Sequence, residues 1–253
     1  SSLLSLVNQS SRNIAIGSGA AASYTGSGTG ESSLAIGHNA MNAATTQNRM
    51  MAIGDSAMLT GQGDNTMAIG FQAAENMGFS TSSVLIGYQA GRNLNTGSAV
   101  NGGIRTVALG TQAIGVGALT GQHNVMIGFQ AGNNLTTAAE CVSIGALALD
   151  AATSAASCIS MGTSSLGSLL TGTHNIALGS TAGNSYVGAE SHNISLNAQG
   201  TAAESNTLRI GSATGTGTQQ LNRAFICGIR GITTGVADAI AVLIDSANQL
   251  GTV

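Results

Sequence analysis

The sequence predicts an all-β fold, a parallel β-solenoid built from coils of about 17 residues, and three observations carry that prediction. An apolar triplet closed by glycine recurs along most of the chain, as in MAIG at 51–54 and again at 67–70. The spacing between successive copies is nearly constant. Proline is absent from all 253 residues, as a stack that uses every backbone N–H in its ladder requires.

With the closing glycine as position 0, the anchors are Gly17, Gly37, Gly54, Gly70, Gly87, Gly110, Gly128, Gly145, Gly162 and Gly179, separated by 20, 17, 16, 17, 23, 18, 17, 17 and 17 residues. Asn197 and Gly211 continue the series after ISL and LRI. Position −1 holds Ile16, Ile36, Ile53, Ile69, Ile86, Leu109, Ile127, Ile144, Met161 and Leu178, and position −3 is equally apolar, from Ile14 and Leu34 to Ile159 and Ile176. Position −2 is mostly small (Ala15, Ala35, Ala52, Ser143, Ser160), with Leu85 and Met126 as exceptions. Apolar, small, apolar is the period-two alternation of a short strand, so positions −3 and −1 share one face. Their size predicts that this face points inward and that the −1 column is the core. Position +3 is alanine at every glycine anchor except for Ser165, which predicts a second strand or corner packed too tightly for a larger side chain. The three-and-four apolar spacing of a helix is missing.

The energetics of one coil point the same way. Two large aliphatic side chains per coil contribute roughly 1.5–3 kcal/mol each, whereas ordering each residue costs roughly 1–2 kcal/mol. A lone coil is therefore unstable. Stacking, and association of several chains, is expected to make the sum favourable.

Composition narrows the function classes. Only 7% of residues are charged, against roughly 25% in an ordinary soluble domain, so solubility rests on Ser, Thr, Asn and Gln. All seven basic residues are arginine and the net charge is −3, which argues against nucleic acid as a partner. The longest apolar runs, such as AIAVLI at 239–244, fall far short of the roughly 20 residues of a membrane helix, and no membrane insertion is expected. The opening SSLLSLVNQS has no positive region and reads as a processed end rather than a signal peptide.

The unit apolar-Ala-Ile-Gly-x-x-Ala, in LAIGHNA (34–40), MAIGDSA (51–57) and MAIGFQA (67–73), resembles the head repeat of trimeric autotransporter adhesins and the related repeats of phage and large-virus fibres, over roughly residues 13–200. The resemblance implies a left-handed parallel β-roll, association of three copies about a common axis, and an extracellular place on a virion or cell surface. The 17-residue period is longer than that family's commoner unit. After about residue 200 the register is lost, and the text LRIGSATGTGTQQLNRAFICGIRG resembles the segment that precedes a self-cleaving intramolecular chaperone in such fibres. That likeness implies a mature product whose chaperone has been removed; a plain segment boundary is the other reading. The expected organisation is a connecting segment at 1–12, a solenoid at 13–200 and a β-rich cap or trimerisation segment at 201–253.

Candidate chemistry is sparse. Gly-rich stretches such as GSGTG (26–30) lack the lysine of a phosphate-binding loop, and no cofactor is expected. His123, His174 and His192 each precede an asparagine just before a strand, a recurrence that the repeat explains without a metal, and no metal site is assigned. Cys141 and Cys158 lie 17 residues apart, stacked on neighbouring coils; a disulfide is conceivable, and two free, half-buried thiols are the preferred reading. Ten scattered carboxylates, among them Asp55 and Asp64, show no spacing that favours a hydrolytic pair, so no catalytic residue is assigned. Phe71, Tyr88 and Phe129 all directly follow an anchor and are expected to pack between coils or chains rather than to stack on sugars. The two longest steps insert YTGSGTGES and LNTGSAVNGGIRT. Solenoid insertions project as loops, often on the binding face, which makes Tyr24, Asn95, Asn101 and Arg105 the candidate ligand contacts. The expected function is a non-enzymatic fibre or adhesin segment that binds its own copies and presents a surface to a host glycan or receptor; a polysaccharide-degrading tailspike is the alternative.

Overall fold

The computed structural model describes residues 13–23, 32–44, 49–61, 64–78, 82–94 and 105–211, together with a strand pair at 243–244 and 250–251. Twelve three-residue strands follow one another: β1 (Ile14–Ile16), β2 (Leu34–Ile36), β3 (Met51–Ile53), β4 (Met67–Ile69), β5 (Val84–Ile86), β6 (Val107–Leu109), β7 (Val125–Ile127), β8 (Val142–Ile144), β9 (Ile159–Met161), β10 (Ile176–Leu178), β11 (Ile194–Leu196) and β12 (Leu208–Ile210). They form a single parallel sheet in sequence order. Every strand pairs in register with the next, as in Ile36 with Ile53 and Ile53 with Ile69. This is the predicted solenoid, and the stack continues past residue 200 through β12. It lies in the unit Ser1–Gln220. In the second unit, Leu221–Val253, the described pair β13 (Leu243–Ile244) and β14 (Leu250–Gly251) is antiparallel. The rest of the expected cap falls outside the described residues.

The coil turns on the anchor. Gly87 has φ 137°, a conformation that side-chain-bearing residues rarely adopt. A Cβ there would stand 2.4 Å from the carbonyl oxygen of Gly110 on the next coil. The remaining corners are left-handed residues at −5, +2 and +4, such as His123 (φ 60°), Gln130 (φ 53°) and Leu149 (φ 53°). Each such corner costs about 1–2 kcal/mol for a residue with a Cβ. Hydrogen bonds to the neighbouring coil hold the geometry, as in Gln130 N–H to Thr111 O at 2.9 Å and Leu149 N–H to Ser165 O at 3.0 Å.

The predicted core is reversed. Ala15, Ala35, Ala52, Leu85, Met126, Ser143 and Ser160 at position −2 are buried, and the larger residues on either side of them face outward. Ile36, Ile53, Ile69, Leu109 and Ile127 are half-buried, while Ile16, Ile86, Ile144, Met161 and Leu178 are exposed, Ile16 to 41% and Met161 to 40%. The cause is depth. The +3 alanines, buried in turns and not in a second strand, close the coil opposite the strand and leave a shallow interior that positions −2, +4 and +7 must share.

That sharing explains the two exceptions at −2. In several coils a small −2 goes with a large +4: Ala52 accompanies Met58, Ala108 accompanies Ile114, and Ser143 accompanies Leu149; where −2 and +4 are both small, as in Ala68 with Ala74 and Ala177 with Gly183, a large +7 residue, Met77 or Tyr186, is buried in the coil. Where −2 is large, +4 is glycine. A Cβ on Gly91 would meet Leu85 Cδ2 at 2.7 Å, and one on Gly132 would meet Met126 Sδ at 2.8 Å. Leu85→Ala should therefore cost about 2–5 kcal/mol through the cavity it leaves. Leu85→Ala combined with Gly91→Leu, which approaches the arrangement of Ser160, Leu166 and Leu169 with Leu94 in the place of Leu169, should recover most of that loss. Denaturant midpoints of the four chains in the cycle check this; an additive double variant would contradict it.

A second buried column stitches the coils together. At position −4, the side-chain oxygens of Asn124, Asn175 and Asn193 accept the backbone N–H of the equivalent residue on the next coil, each at 3.0 Å. The last coil departs from the pattern. Arg209 replaces the small −2 residue of β12, and its guanidinium donates twice to Glu204, at 2.6 and 2.9 Å. Tyr186, fully buried, donates to Glu204 at 3.0 Å and lies 2.8 Å from the Ser195 hydroxyl. At the end of the described stack, a polar group of this kind covers the interior of the coil before it.

Burial works to raise the Glu204 carboxyl, but hydrogen bonds from Arg209, Tyr186 and the Thr201 N–H outweigh it and hold the group below its ordinary value. Glu190 is lowered in the same way, burial being outweighed by the N–H groups of Ala203 and Gly188. Both carboxyls bind fewer protons folded than unfolded. Their contribution is complete above the unfolded value of about 4.3 and is lost as pH falls through the lower folded value. Stability should thus decline from about pH 5 downward, and Glu204→Gln should flatten that decline in a series of urea midpoints.

Candidate interaction surface

The outward face is built from alternate residues along each coil. Positions −3 and −1 lay two aliphatic columns over the twelve strands, one residue of each per strand. Neighbouring strands stand about 4.8 Å apart, so each column is a closely spaced apolar ladder. Ile14 is 49% exposed and Leu208 is 61% exposed. Apolar patches of several hundred Å² on a chain mark surfaces that another molecule covers.

Position +1 flanks this strip on one side with exposed Asp55, Phe71, Tyr88, Thr111 and Phe129. Phe71 and Tyr88 stack between coils, with ring centroids 5.4 Å apart and planes 12° apart, which agrees with the packing role expected for them. Beneath the aromatics runs a glutamine ladder at +2: Gln89 donates to Gln72 at 2.8 Å, Gln112 to Gln89 at 3.1 Å and Gln130 to Gln112 at 3.0 Å. Gln72 donates in turn to Glu75 at 2.6 Å, which is bound by Arg92 at 2.6 Å. Sequence reasoning missed this ladder, although FQA, YQA, TQA and FQA repeat in its place.

Position −5 flanks the other side with exposed Arg49, Ser82, Arg105, His123, Glu140, His174 and His192. The three His-Asn pairs are turn elements, the histidine occupying a left-handed corner, and the asparagine in addition belongs to the buried column, which the sequence reading did not foresee. His174 and His192 stack with centroids 4.8 Å apart. Of the candidate ligand contacts, Arg105 is exposed, with Nη1 3.3 Å from His123 Nε2. Tyr24, Asn95 and Asn101 lie outside the described residues.

Cys141 and Cys158 are free thiols, and both are fully buried rather than half-buried. Each Sγ lies close to two carbonyl oxygens, Ala139 and Ala155 for Cys141 and Ala156 and Gly172 for Cys158, at 3.4–3.5 Å. The contact with Cys158 and burial together push the Cys141 thiol up, which makes it a poor nucleophile. Asp55 accepts from Ser56 Oγ at 2.7 Å and lies 3.5 Å from His38 Nδ1, contacts that hold its carboxyl below the ordinary value, the Ser56 bond foremost. Among the described residues no group of three His, Cys, Asp or Glu side chains could hold a metal ion, and no helix is long and apolar enough to cross a membrane.

No protein family, no curated protein and no solved structure matches the chain. The site therefore stands on its own geometry.

Proposed function

We propose that this chain is a segment of an extracellular, homotrimeric fibre or adhesin, in which the outward aliphatic face joins copies of the chain and the remaining surface is presented to a host or neighbouring cell. One observation carries the reading: two uninterrupted apolar columns lie outside the coil, on a chain whose interior is already filled. A stack that hides alanine and exposes isoleucine lacks a partner. The polar exterior, with a glutamine ladder in place of charge, suits a rigid display rod.

Incubation with host-surface glycans, followed by binding measurement and product analysis, tests the display role. Retention of intact glycan is the expected result. Released oligosaccharide would instead establish a polysaccharide-degrading tailspike.

A further inference from the structure

We propose that copies of this chain associate head to tail about an axis parallel to the stacking direction, so that the −5 column of one copy packs against the +1 column of the next and Arg49 pairs with Asp55 in trans. The proposal rests on self-association through the outward face, and it adds which residues meet.

Area is the first argument. The −3 and −1 columns stand about 7 Å apart, and the eleven steps between twelve strands extend about 53 Å at 4.8 Å per step. That strip covers on the order of 400 Å², half the roughly 800 Å² per partner of a stable interface. With positions −5 and +1 included, the face is at most about 20 Å wide, the length of six extended residues, and reaches on the order of 1,000 Å². The flanking columns are needed to make the interface large enough.

Symmetry then fixes the pairing. Rotation about an axis along the stack leaves the height of every coil unchanged, and a closed ring of like interfaces sets one edge of the face against the opposite edge of the neighbour. Position −5 of each coil therefore meets position +1 of the same coil in the next copy.

Size across those two columns is complementary in several coils, and charge in one. Tyr88 at +1 shares its coil with Ser82 at −5, whereas Arg105 and Glu140 at −5 share theirs with Thr111 and Ala146. His123 and Phe129 are both large, and both are flat rings that can stack. Arg49 and Asp55 are of opposite charge and both exposed. Among the described residues no ion pair joins them within one chain. Asp55 keeps its contacts with Ser56 and His38 and has open oxygen surface beyond them, its side chain being 47% exposed.

Two sets of variants of the full chain test the pairing. Arg49→Cys with Asp55→Cys in one chain, after oxidation, should give covalent dimers and trimers on a non-reducing denaturing gel. Neither single variant should do so. Separately, Arg49→Asp and Asp55→Arg should each weaken assembly roughly tenfold, and the double reversal should restore it. An assembly of natural native mass that neither cross-links in the double-cysteine chain nor recovers on double reversal would overturn the pairing while leaving self-association intact. Cross-linking of either single variant beyond that of the natural chain, which has three cysteines of its own, would overturn the head-to-tail arrangement. A single-chain mass for the natural protein would remove the underlying reading and this pairing together.

Discussion

Ile53→Asp combined with Ile69→Asp should reduce the native mass to that of one 24.8 kDa chain while leaving the β-sheet signal in circular dichroism intact. Both side chains are half-buried on the outward face and neither fills the coil interior, which Ala52, Ala68, Met58 and Met77 occupy. In one chain the carboxylates reach water at little cost. In an assembly they would be buried without a partner, at several kcal/mol each, enough to shift association by orders of magnitude. Had the −1 column been the interior, as side-chain size predicts, the same variant would unfold. Sedimentation combined with circular dichroism separates these outcomes.

Gly87→Ala should be among the most damaging single changes within the stack. The new methyl would meet the Gly110 carbonyl oxygen, and it would sit at φ 137°, where an L-residue is strained whatever the space. The three nearest atoms are all Gly110 backbone, so no flexible side chain can yield. A loss above 4 kcal/mol, at the extreme of single substitutions, is expected, on the order of what opening the hydrogen-bonded junction between two coils would cost. Gly188→Ala is the matched control: its Cβ would stand 3.6 Å from Glu190 Oε2, an ordinary contact. It should fall within about 0.5 kcal/mol of the natural chain. Thermal melts of the two variants side by side check both expectations.

The register, the anchors, the turn positions and the stacking of one coil on the next were legible in the sequence because each depends on recurrence alone. Gly17 through Gly179 needed only to be aligned, and the −3, −2, −1 alternation follows from strand geometry. Which face is inside does not follow from it. Alternation groups Ile53 with Met51 and sets Ala52 opposite, and the choice between the two faces depends on interior depth, which +3 and +4 determine from across the coil. A signal was present: Leu85 and Met126, the two large residues at −2, are both followed at +4 by glycine, Gly91 and Gly132. Reciprocal size across six residues means shared volume, and it could have been read before any coordinates. The glutamine ladder and the Tyr186, Glu204 and Arg209 group were harder to foresee, since their members meet only after the coils are stacked.

Native mass spectrometry of the full chain, across a dilution series, tests most directly whether the outward aliphatic face is an assembly surface. A species of three chains, persisting on dilution and lost in the Ile53→Asp, Ile69→Asp variant, is the predicted result. A folded single chain at every concentration, with its isoleucine ladders in water, would contradict it.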